Sequence, residues 1–113
     1  MTDQTTRIRR LLVANRGEIA RRIIAAARGL GVETVGVFSD ADAGAVYVTE
    51  CDQAVRLPGT AAADTYLDVR AIIAAAQRTG ADAIHPGYGF LAENAEAARA
   101  VLDAGLLWGG PSP

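Results

Sequence analysis

The sequence predicts a single α/β domain with about five mostly parallel strands and helices on both faces of the sheet. Three observations support this fold class. Short apolar runs alternate with amphipathic stretches, half of the 113 residues are hydrophobic, and glycine-rich or polar loops follow two of the strands. Alternating strands and helices are typical of a parallel sheet covered on both sides.

The strands are predicted from apolar runs and β-branched residues. They are expected at residues 8–14, 34–38, 53–56, 83–85 and 106–109. In the first, Leu11, Leu12 and Val13 are continuously apolar, which indicates a strand buried on both faces. The second is rich in β-branched residues, and the fourth runs directly into a glycine-rich loop.

The helices are predicted from apolar residues that recur at helical spacing. They are expected at residues 18–30, 45–49, 67–79 and 94–104. In the first helix, the apolar positions are Ile19, Ile23, Ala27 and Leu30. Residues 1–7 are predicted to be a flexible tail, 8–109 the folded domain and 110–113 the start of a linker.

Composition excludes several function classes. No apolar run approaches the ~20 residues that a membrane-spanning helix needs. The net charge of −2 comes without a block of like charge, which argues against binding to nucleic acid or to a membrane surface. All eleven basic residues are arginine. Because phosphoryl-transfer enzymes usually place lysine on the nucleotide phosphates, we expect no ATP chemistry from this chain alone.

Cys51 is the only cysteine, so no internal disulfide is possible. A lone cysteine fits a reducing compartment, and we expect a cytoplasmic protein. The residue itself is expected to be a small buried side chain rather than a catalytic thiol.

The first loop, residues 14–20, follows the first strand and contains Asn15, Arg16, Gly17 and Glu18. It lacks the G-x-G-x-x-G pattern of dinucleotide-binding domains, although Asp40 ends the second strand where a ribose-binding acid would stand. Asn15 and Glu18 have the spacing of a helix capping box. A cation in the first helical turn opposes the helix dipole, so Arg16 is expected to meet either a carboxylate or an anionic ligand.

The second loop, residues 85–94, follows the fourth strand. Pro86 forces His85 into an extended conformation. Gly87 and Gly89 permit positive φ and close approach by a partner. For Tyr88, between them, a role against a flat ring ligand and a role in the core both stay open.

Other residues of the second loop have structural interpretations. Phe90 and Leu91 are expected in the core. His85 is expected to bond a loop carbonyl, and no Cys or acid stands at metal-ligand spacing from it. Glu93 begins a predicted helix, where a carboxylate suits the dipole, so capping and a substrate role are both open.

Together and in this order, the two loops resemble the two signatures of the biotin carboxylase N-terminal domain, in the biotin-dependent acyl-CoA carboxylase alpha subunit family. The matching stretches are VANRGEIA at 13–20 and HPGYGFLAEN at 85–94. Residues 66–68 and 110–111 also match, and the resemblance covers residues 8–113.

The resemblance implies a Rossmann-like domain that precedes an ATP-grasp domain. In the complete ligase, ATP and Mg²⁺ (or Mn²⁺) activate bicarbonate, and biotin on a carrier domain is carboxylated. Implied partners are the ATP-grasp and C-terminal parts, the biotin carboxyl carrier domain, a carboxyltransferase subunit and a second copy in a homodimer or larger complex. The acceptor stays open among acetyl-CoA, propionyl-CoA, longer acyl-CoAs, pyruvate and urea.

The resemblance also implies residue roles. Tyr88 and Gly89 match a loop that borders biotin, Glu93 matches an acid near it, and Arg22 matches a position at the dimer interface. The first loop, with His85 and Gly87, faces the cleft. No catalytic residue and no metal ligand is assigned to this chain.

The chain departs from the family pattern at Tyr47, Cys51, Ala92 and Gly109. The family usually has serine in place of Ala92, where it would cap a helix, and an apolar strand residue in place of Gly109. We therefore expect a lost cap at Ala92 and a weaker last strand at Gly109. Two alternative functions remain at this point: a free-standing nucleotide-binding module and a non-catalytic docking domain.

Overall fold

A five-stranded parallel sheet forms the centre of the computed structural model, which describes residues 8–110. The strands are β1 (Arg10–Val13), β2 (Glu33–Ser39), β3 (Gln53–Leu57), β4 (Ala83–His85) and β5 (Leu107–Trp108). Their order is β3-β2-β1-β4-β5, and every neighbouring pair is parallel. The predicted fold class is confirmed. The predicted tail at 1–7 and linker residues 111–113 lie outside the described residues.

Four helices cover the two faces of the sheet. They are α1 (Gly17–Gly29), α2 (Val46–Glu50), α3 (Val69–Thr79) and α4 (Ala95–Asp103). Short 3₁₀ turns occupy Asp40–Asp42, Ala62–Asp64 and Phe90–Glu93. The helix at 67–79 begins two residues later than predicted because Asp68 is its N-cap, accepting from the amide of Ala71 at 3.2 Å. No helix within residues 8–110 is long and apolar enough to cross a bilayer.

The core has one layer on each side of the sheet. Leu12 and Ile84 pack with α3 and α4 on one side. Leu11 and Val13 pack with α1 and α2 on the other. The three consecutive apolar residues of β1, Leu11 to Val13, are all buried, which confirms that this strand is covered on both faces.

Helix α1 is apolar on two flanks. The residues that it buries are Ala20, Ile24 and Ala27. Of the predicted apolar positions, only Ala27 is among them. Ile19 and Ile23 are half-buried, and Leu30 is 81% exposed. The helix therefore has a second apolar flank that the rest of the described chain covers only in part.

Two of the departures from the family pattern lie on the α1 side of the sheet, Tyr47 fully buried and Cys51 half-buried. Tyr47 is fully buried, and its hydroxyl donates to the carbonyl of Val37 at 2.9 Å. Cys51 lies so close to Gly36 that a Cβ on that glycine would stand 2.7 Å from Sγ. Burial raises the pKa of the Cys51 thiol. The interpretation of Cys51 as a packing residue rather than a reactive thiol is supported.

Gly109 does not interrupt a strand. It follows β5 by one residue, and its amide still donates to the carbonyl of Ile84 at 2.8 Å. A Cβ on Gly109 would lie 3.2 Å from the ring of His85. The ring of His85 thus leaves little room for a side chain at this position, and the weakening of the last strand by glycine stays a prediction.

The strand order reverses between β1 and β4. The chain moves from β1 outward to β2 and β3, then returns to place β4 on the other side of β1. In open parallel sheets, loops at the carboxyl ends of strands beside such a reversal form the usual ligand crevice. Both loops singled out from the sequence lie there.

Candidate functional site

Asn15 joins the two loops. Its side chain is buried, with 1% of the residue exposed. Nδ2 donates to the carbonyl oxygens of Pro86 and Tyr88, each at 2.7 Å. Oδ1 accepts from the amide of Arg16 at 2.8 Å. One side chain after β1 therefore holds the backbone of the second loop, 71 and 73 residues farther along the chain.

The predicted capping box is wrong. Arg16 is the N-cap residue of α1 and makes no side-chain cap bond. Glu18 instead pairs with Arg21 at 3.0 Å. Asn15 is committed to the second loop because two carbonyls there need donors, and a buried carbonyl without one is costly. Gly17 adopts a φ of 61°, as expected for a glycine that turns the chain.

Arg16 meets a carboxylate, one of its two expected partners. Its Nε and Nη2 bond the carboxylate of Asp42 at 2.6 and 2.7 Å. The same carboxylate accepts from the hydroxyls of Tyr66 at 2.6 Å and Ser39 at 3.3 Å. Arg16, followed by Tyr66, lowers the pKa of Asp42 to about 2. This polar cluster ties the start of α1 to the end of β2.

Asp40 does not offer a free carboxylate for a ribose. Oδ1 accepts from Arg56 Nε at 2.6 Å, and Oδ2 accepts from Arg56 Nη2 at 3.2 Å and from the amide of Gly59 at 3.0 Å. The bond to Arg56, followed by that to Gly59, lowers the Asp40 pKa. These contacts and the missing glycines both argue against a dinucleotide site.

The two glycines of the second loop serve different ends. Gly87 has a φ of 68°, and a Cβ there would stand 2.7 Å from Ile19 Cγ2 and 2.9 Å from Asn15 Nδ2. Gly89 has φ 69° and ψ −165°, a conformation that is essentially confined to glycine. No atom lies within 4 Å of its Cβ position. Gly87 therefore seats the loop, whereas Gly89 leaves open space above its backbone.

The aromatic residues of the second loop point in different directions. Tyr88 is 76% exposed, so the core interpretation for it is wrong. Phe90 packs with its ring centroid 5.3 Å from that of Tyr66, and Leu91 is fully buried. The predicted core position is confirmed for Leu91. It is confirmed only in part for Phe90, which is half-buried.

His85 bonds the loop in the opposite sense from the one expected. Its Nδ1 accepts from the amide of Gly87 at 3.0 Å, rather than the ring donating to a carbonyl. Burial lowers the pKa of the half-buried ring. Within residues 8–110, no three acidic, histidine or cysteine side chains are placed to share a metal ion.

The pH dependence of the His85 contact is testable. Because burial lowers its pKa below the usual 6.5, the neutral ring stabilises the fold above about pH 6.5. That stability is lost as the pH falls through the folded-state pKa. We expect ¹⁵N NMR to show a neutral Nε2–H tautomer at pH 7 and a titration midpoint below that of the urea-unfolded chain. A midpoint equal to or above the unfolded value would contradict this assignment.

Glu93 does not cap a helix. It ends a 3₁₀ turn, and α4 begins at Ala95 with Asn94 as N-cap. Asn94 Oδ1 accepts from the amides of Glu96 and Ala97 at 3.0 and 3.2 Å. The capping interpretation of Glu93 is wrong, and so is the expected loss of a cap at Ala92, because that position lies inside the turn.

An open, largely apolar groove of about 950 Å³ runs along α1 to the second loop. Ile19, Ile23 and Leu30 form part of its floor. The predicted site residues that line it are His85, Gly87, Tyr88, Gly89 and Glu93 from the second loop, with Glu18 and Arg22 from α1. Asn15 is buried beneath the loop, and Arg16 turns away to Asp42. The groove itself could not be predicted from local spacing, although the unburied apolar flank of α1 is its signal.

Comparison with known proteins matches residues 7–113 to the family model of the biotin carboxylase N-terminal domain. The chain is 55% identical over 109 residues to the biotin-dependent acyl-coenzyme A carboxylase alpha3 subunit of Mycobacterium leprae, covering 96% of this chain and 18% of that protein. It is 52% identical to biotin carboxylase 1 of Bacillus subtilis, covering 93% of this chain and 23% of that protein.

Solved structures share the fold. The urea amidolyase of K. lactis superposes with a TM-score of 0.91 at 47% identity, covering 93% of this chain and 6% of that one. The biotin carboxylase domain of a single-chain bacterial carboxylase gives a TM-score of 0.88 at 50% identity, covering 93% and 24%. The chain thus spans less than a quarter of each of these four relatives.

Proposed function

Because the chain belongs to the family of biotin carboxylase N-terminal domains, we propose that it forms one wall of the active site of a larger ligase. That enzyme carboxylates carrier-bound biotin with ATP and bicarbonate, as the first half-reaction of an acyl-CoA type carboxylation. The observation that carries the proposal is the pairing of the two loops at the strand-order reversal, with Tyr88 exposed and the backbone of Gly89 open.

The second loop suits a flat bicyclic ring such as that of biotin. Tyr88 offers an exposed aromatic surface, and the empty space at Gly89 lets a ring approach the backbone. Glu93 stands on the rim of the same groove. We assign Tyr88, Gly89 and Glu93 to the biotin side of the complete site, with no chemical step of their own.

ATP and Mg²⁺ (or Mn²⁺) fit this chain less well. The sequence has no lysine, and Arg16 and Arg56 are bound bidentately to this chain's own aspartates. No cluster of potential metal ligands occurs within residues 8–110. The nucleotide and its metal ion are therefore proposed to bind the ATP-grasp part of the enzyme, where they would activate bicarbonate.

The apolar flank of α1 supports the proposal that this domain contacts other parts of a larger enzyme. Ile19, Ile23 and Leu30 leave an apolar groove that the rest of the described chain does not fill, and such patches usually mark contact surfaces. We propose the ATP-grasp and C-terminal parts as neighbours, a biotin carboxyl carrier domain and a carboxyltransferase as partners, and Arg22 as a contact in a homodimer or larger complex.

The final acceptor is proposed to be selected outside this domain. Relatives about half identical to the chain are named as carboxylases of acyl-coenzyme A and methylcrotonoyl-CoA and as a urea amidolyase. The lone, half-buried Cys51 supports a reducing compartment, and we propose a cytoplasmic location.

The proposed function is tested with the full-length subunit that contains this chain. We expect incorporation of labelled bicarbonate into biotin that requires ATP, and no turnover by the 113-residue chain alone. Tyr88→Ala should raise the KM for biotin about tenfold through loss of ring contact, whereas Tyr88→Phe keeps the ring and should stay near the wild type. A full-length protein without bicarbonate-dependent turnover would overturn the proposal.

A further inference from the structure

The side-chain amide of Asn15 makes hydrogen bonds within the protein through both its nitrogen and its oxygen. Both Nδ2 hydrogens are donated, to the carbonyls of Pro86 and Tyr88 at 2.7 Å, and Oδ1 accepts from the amide of Arg16. An amide group has two donors and one acceptor oxygen, so both donors and the oxygen are engaged. Since the residue is almost completely buried, water cannot replace these bonds if they are lost.

The second loop is seated on this side chain. The Cβ position of Gly87 is only 2.9 Å from Asn15 Nδ2, so the loop backbone lies directly against the amide. His85 Nδ1 accepts from the amide of Gly87. Three consecutive residues, 86–88, therefore each have one backbone polar group bonded by the side chain of Asn15 or His85.

The base of this arrangement is continuous with the central sheet. Asn15 follows β1, and the amide of Ala14 donates to the carbonyl of His85 at 2.9 Å, which extends the pairing of β1 with β4. The outer side of the loop is free by contrast: Tyr88 is exposed and nothing lies near the Cβ position of Gly89. The position and orientation of this outer surface depend on the hydrogen bonds that hold the inner side of the loop, which are those of Asn15 and His85.

We propose that Asn15 is a positioning residue that sets the Tyr88–Gly89 surface for the ring of biotin, without touching biotin itself. The proposal rests on the proposed function, because it assigns a purpose to the loop that borders the substrate. Binding surfaces need their supporting residues to hold them within a fraction of an ångström. The first loop thus contributes to recognition of a substrate that the second loop contacts.

Asn15→Asp is the most direct test, because it keeps the size of the side chain and the acceptor for the amide of Arg16. It replaces the two-donor nitrogen with an oxygen, so the carbonyls of Pro86 and Tyr88 would face an acceptor. Asn94→Asp is the matched control. Asn94 only accepts hydrogen bonds, at the start of α4, and aspartate does this equally well.

In the full-length subunit, we expect Asn15→Asp to raise the KM for biotin about tenfold while the KM for ATP stays within about twofold. Asn94→Asp should change neither. A merely structural role would reduce the fraction of folded enzyme, lowering kcat and leaving both KM values intact. An unchanged KM for biotin in Asn15→Asp, with an active wild type, would overturn the proposal. An inactive wild type would instead overturn the proposed function.

A measurement on the unmodified 113-residue chain covers the case in which Asn15→Asp does not fold. Side-chain amide hydrogens that are buried and bonded exchange slowly with solvent. By NMR, the Nδ2 hydrogens of Asn15 should exchange far more slowly than those of the exposed Asn94, and couplings across the hydrogen bonds should connect them to the carbonyl carbons of Pro86 and Tyr88. Equal exchange rates for the side-chain amide hydrogens of Asn15 and Asn94 would show that Asn15 does not hold the second loop, and would overturn the proposal.

Discussion

Replacing Asp42 with alanine is expected to lower the free energy of unfolding by about 2 kcal/mol. The Asp42 side chain is 9% exposed and accepts from Arg16, Tyr66 and Ser39. Its removal leaves the buried hydroxyls without their shared acceptor. Arg16 is half exposed, with 50% of its side chain accessible, so water partly replaces its lost partner and the cost falls below that of a fully buried pair.

The same carboxylate gives a pH signature. Its pKa is about 2 in the folded chain against a usual value of 3.8. The stabilisation is therefore complete above about pH 4 and is lost as the pH falls toward 2, where the folded-state carboxyl takes up its proton. Urea unfolding of the wild type between pH 5 and 2 should show this loss, and Asp42→Asn should flatten that part of the curve.

Asp40→Ala is the matched control for Asp42. Asp40 lies two residues before Asp42 and forms a similar bidentate pair with Arg56. The side chains of both Asp40 and Arg56 are open to water, however. Exposed pairs contribute little because solvent competes for them, so the loss should be clearly smaller than at Asp42. Equal losses at the two positions would show that burial and the hydroxyls of Tyr66 and Ser39 do not set the strength of the Asp42 cluster.

Local periodicity was enough to predict the sheet. The continuous apolar run at Leu11–Val13 depends only on neighbours along the chain, and all three residues are buried as expected. Placement of the two loops at one end of the sheet followed from parallel strand direction alone. The prediction of fold and loop location therefore needed no knowledge of distant contacts.

Partner choice could not be predicted in the same way. Asn15 and Glu18 have the spacing of a capping box, but the carbonyls that Asn15 binds belong to residues more than 70 positions away. Arg16 was expected to have an anionic partner, yet nothing in the spacing singled out Asp42. Local pattern identifies a side chain in need of a partner, whereas the tertiary fold decides which partner is offered.

Helix α1 has apolar residues at helical spacing that the core of this domain does not fully explain. Ile19, Ile23 and Leu30 have helical spacing, and all three line the groove, although Ile23 also packs in part against the core. Their apolar character makes sense for a surface that another part of the proposed enzyme covers.

Gly87→Ala is expected to cost about 3 kcal/mol of unfolding free energy, a larger loss than that expected for Asp42→Ala. A φ of 68° strains alanine by about 1 kcal/mol. The new Cβ would also lie 2.7 Å from Ile19 Cγ2 and 2.9 Å from Asn15 Nδ2, and overpacking of this kind costs about 1–3 kcal/mol.

Gly31→Ala separates the two causes of this loss. Gly31 has a φ of 75° and no atom within 4 Å of its Cβ position, so its substitution should cost only the strain of about 1 kcal/mol. Chemical denaturation of both variants measures the difference, which is the crowding beneath the second loop. Ile19→Ala in the Gly87→Ala background removes one of the two close contacts and should recover part of that difference. Equal losses of stability in the two glycine variants would contradict close packing of the second loop against Asn15 and α1. Such packing could then not be what fixes the position of Tyr88.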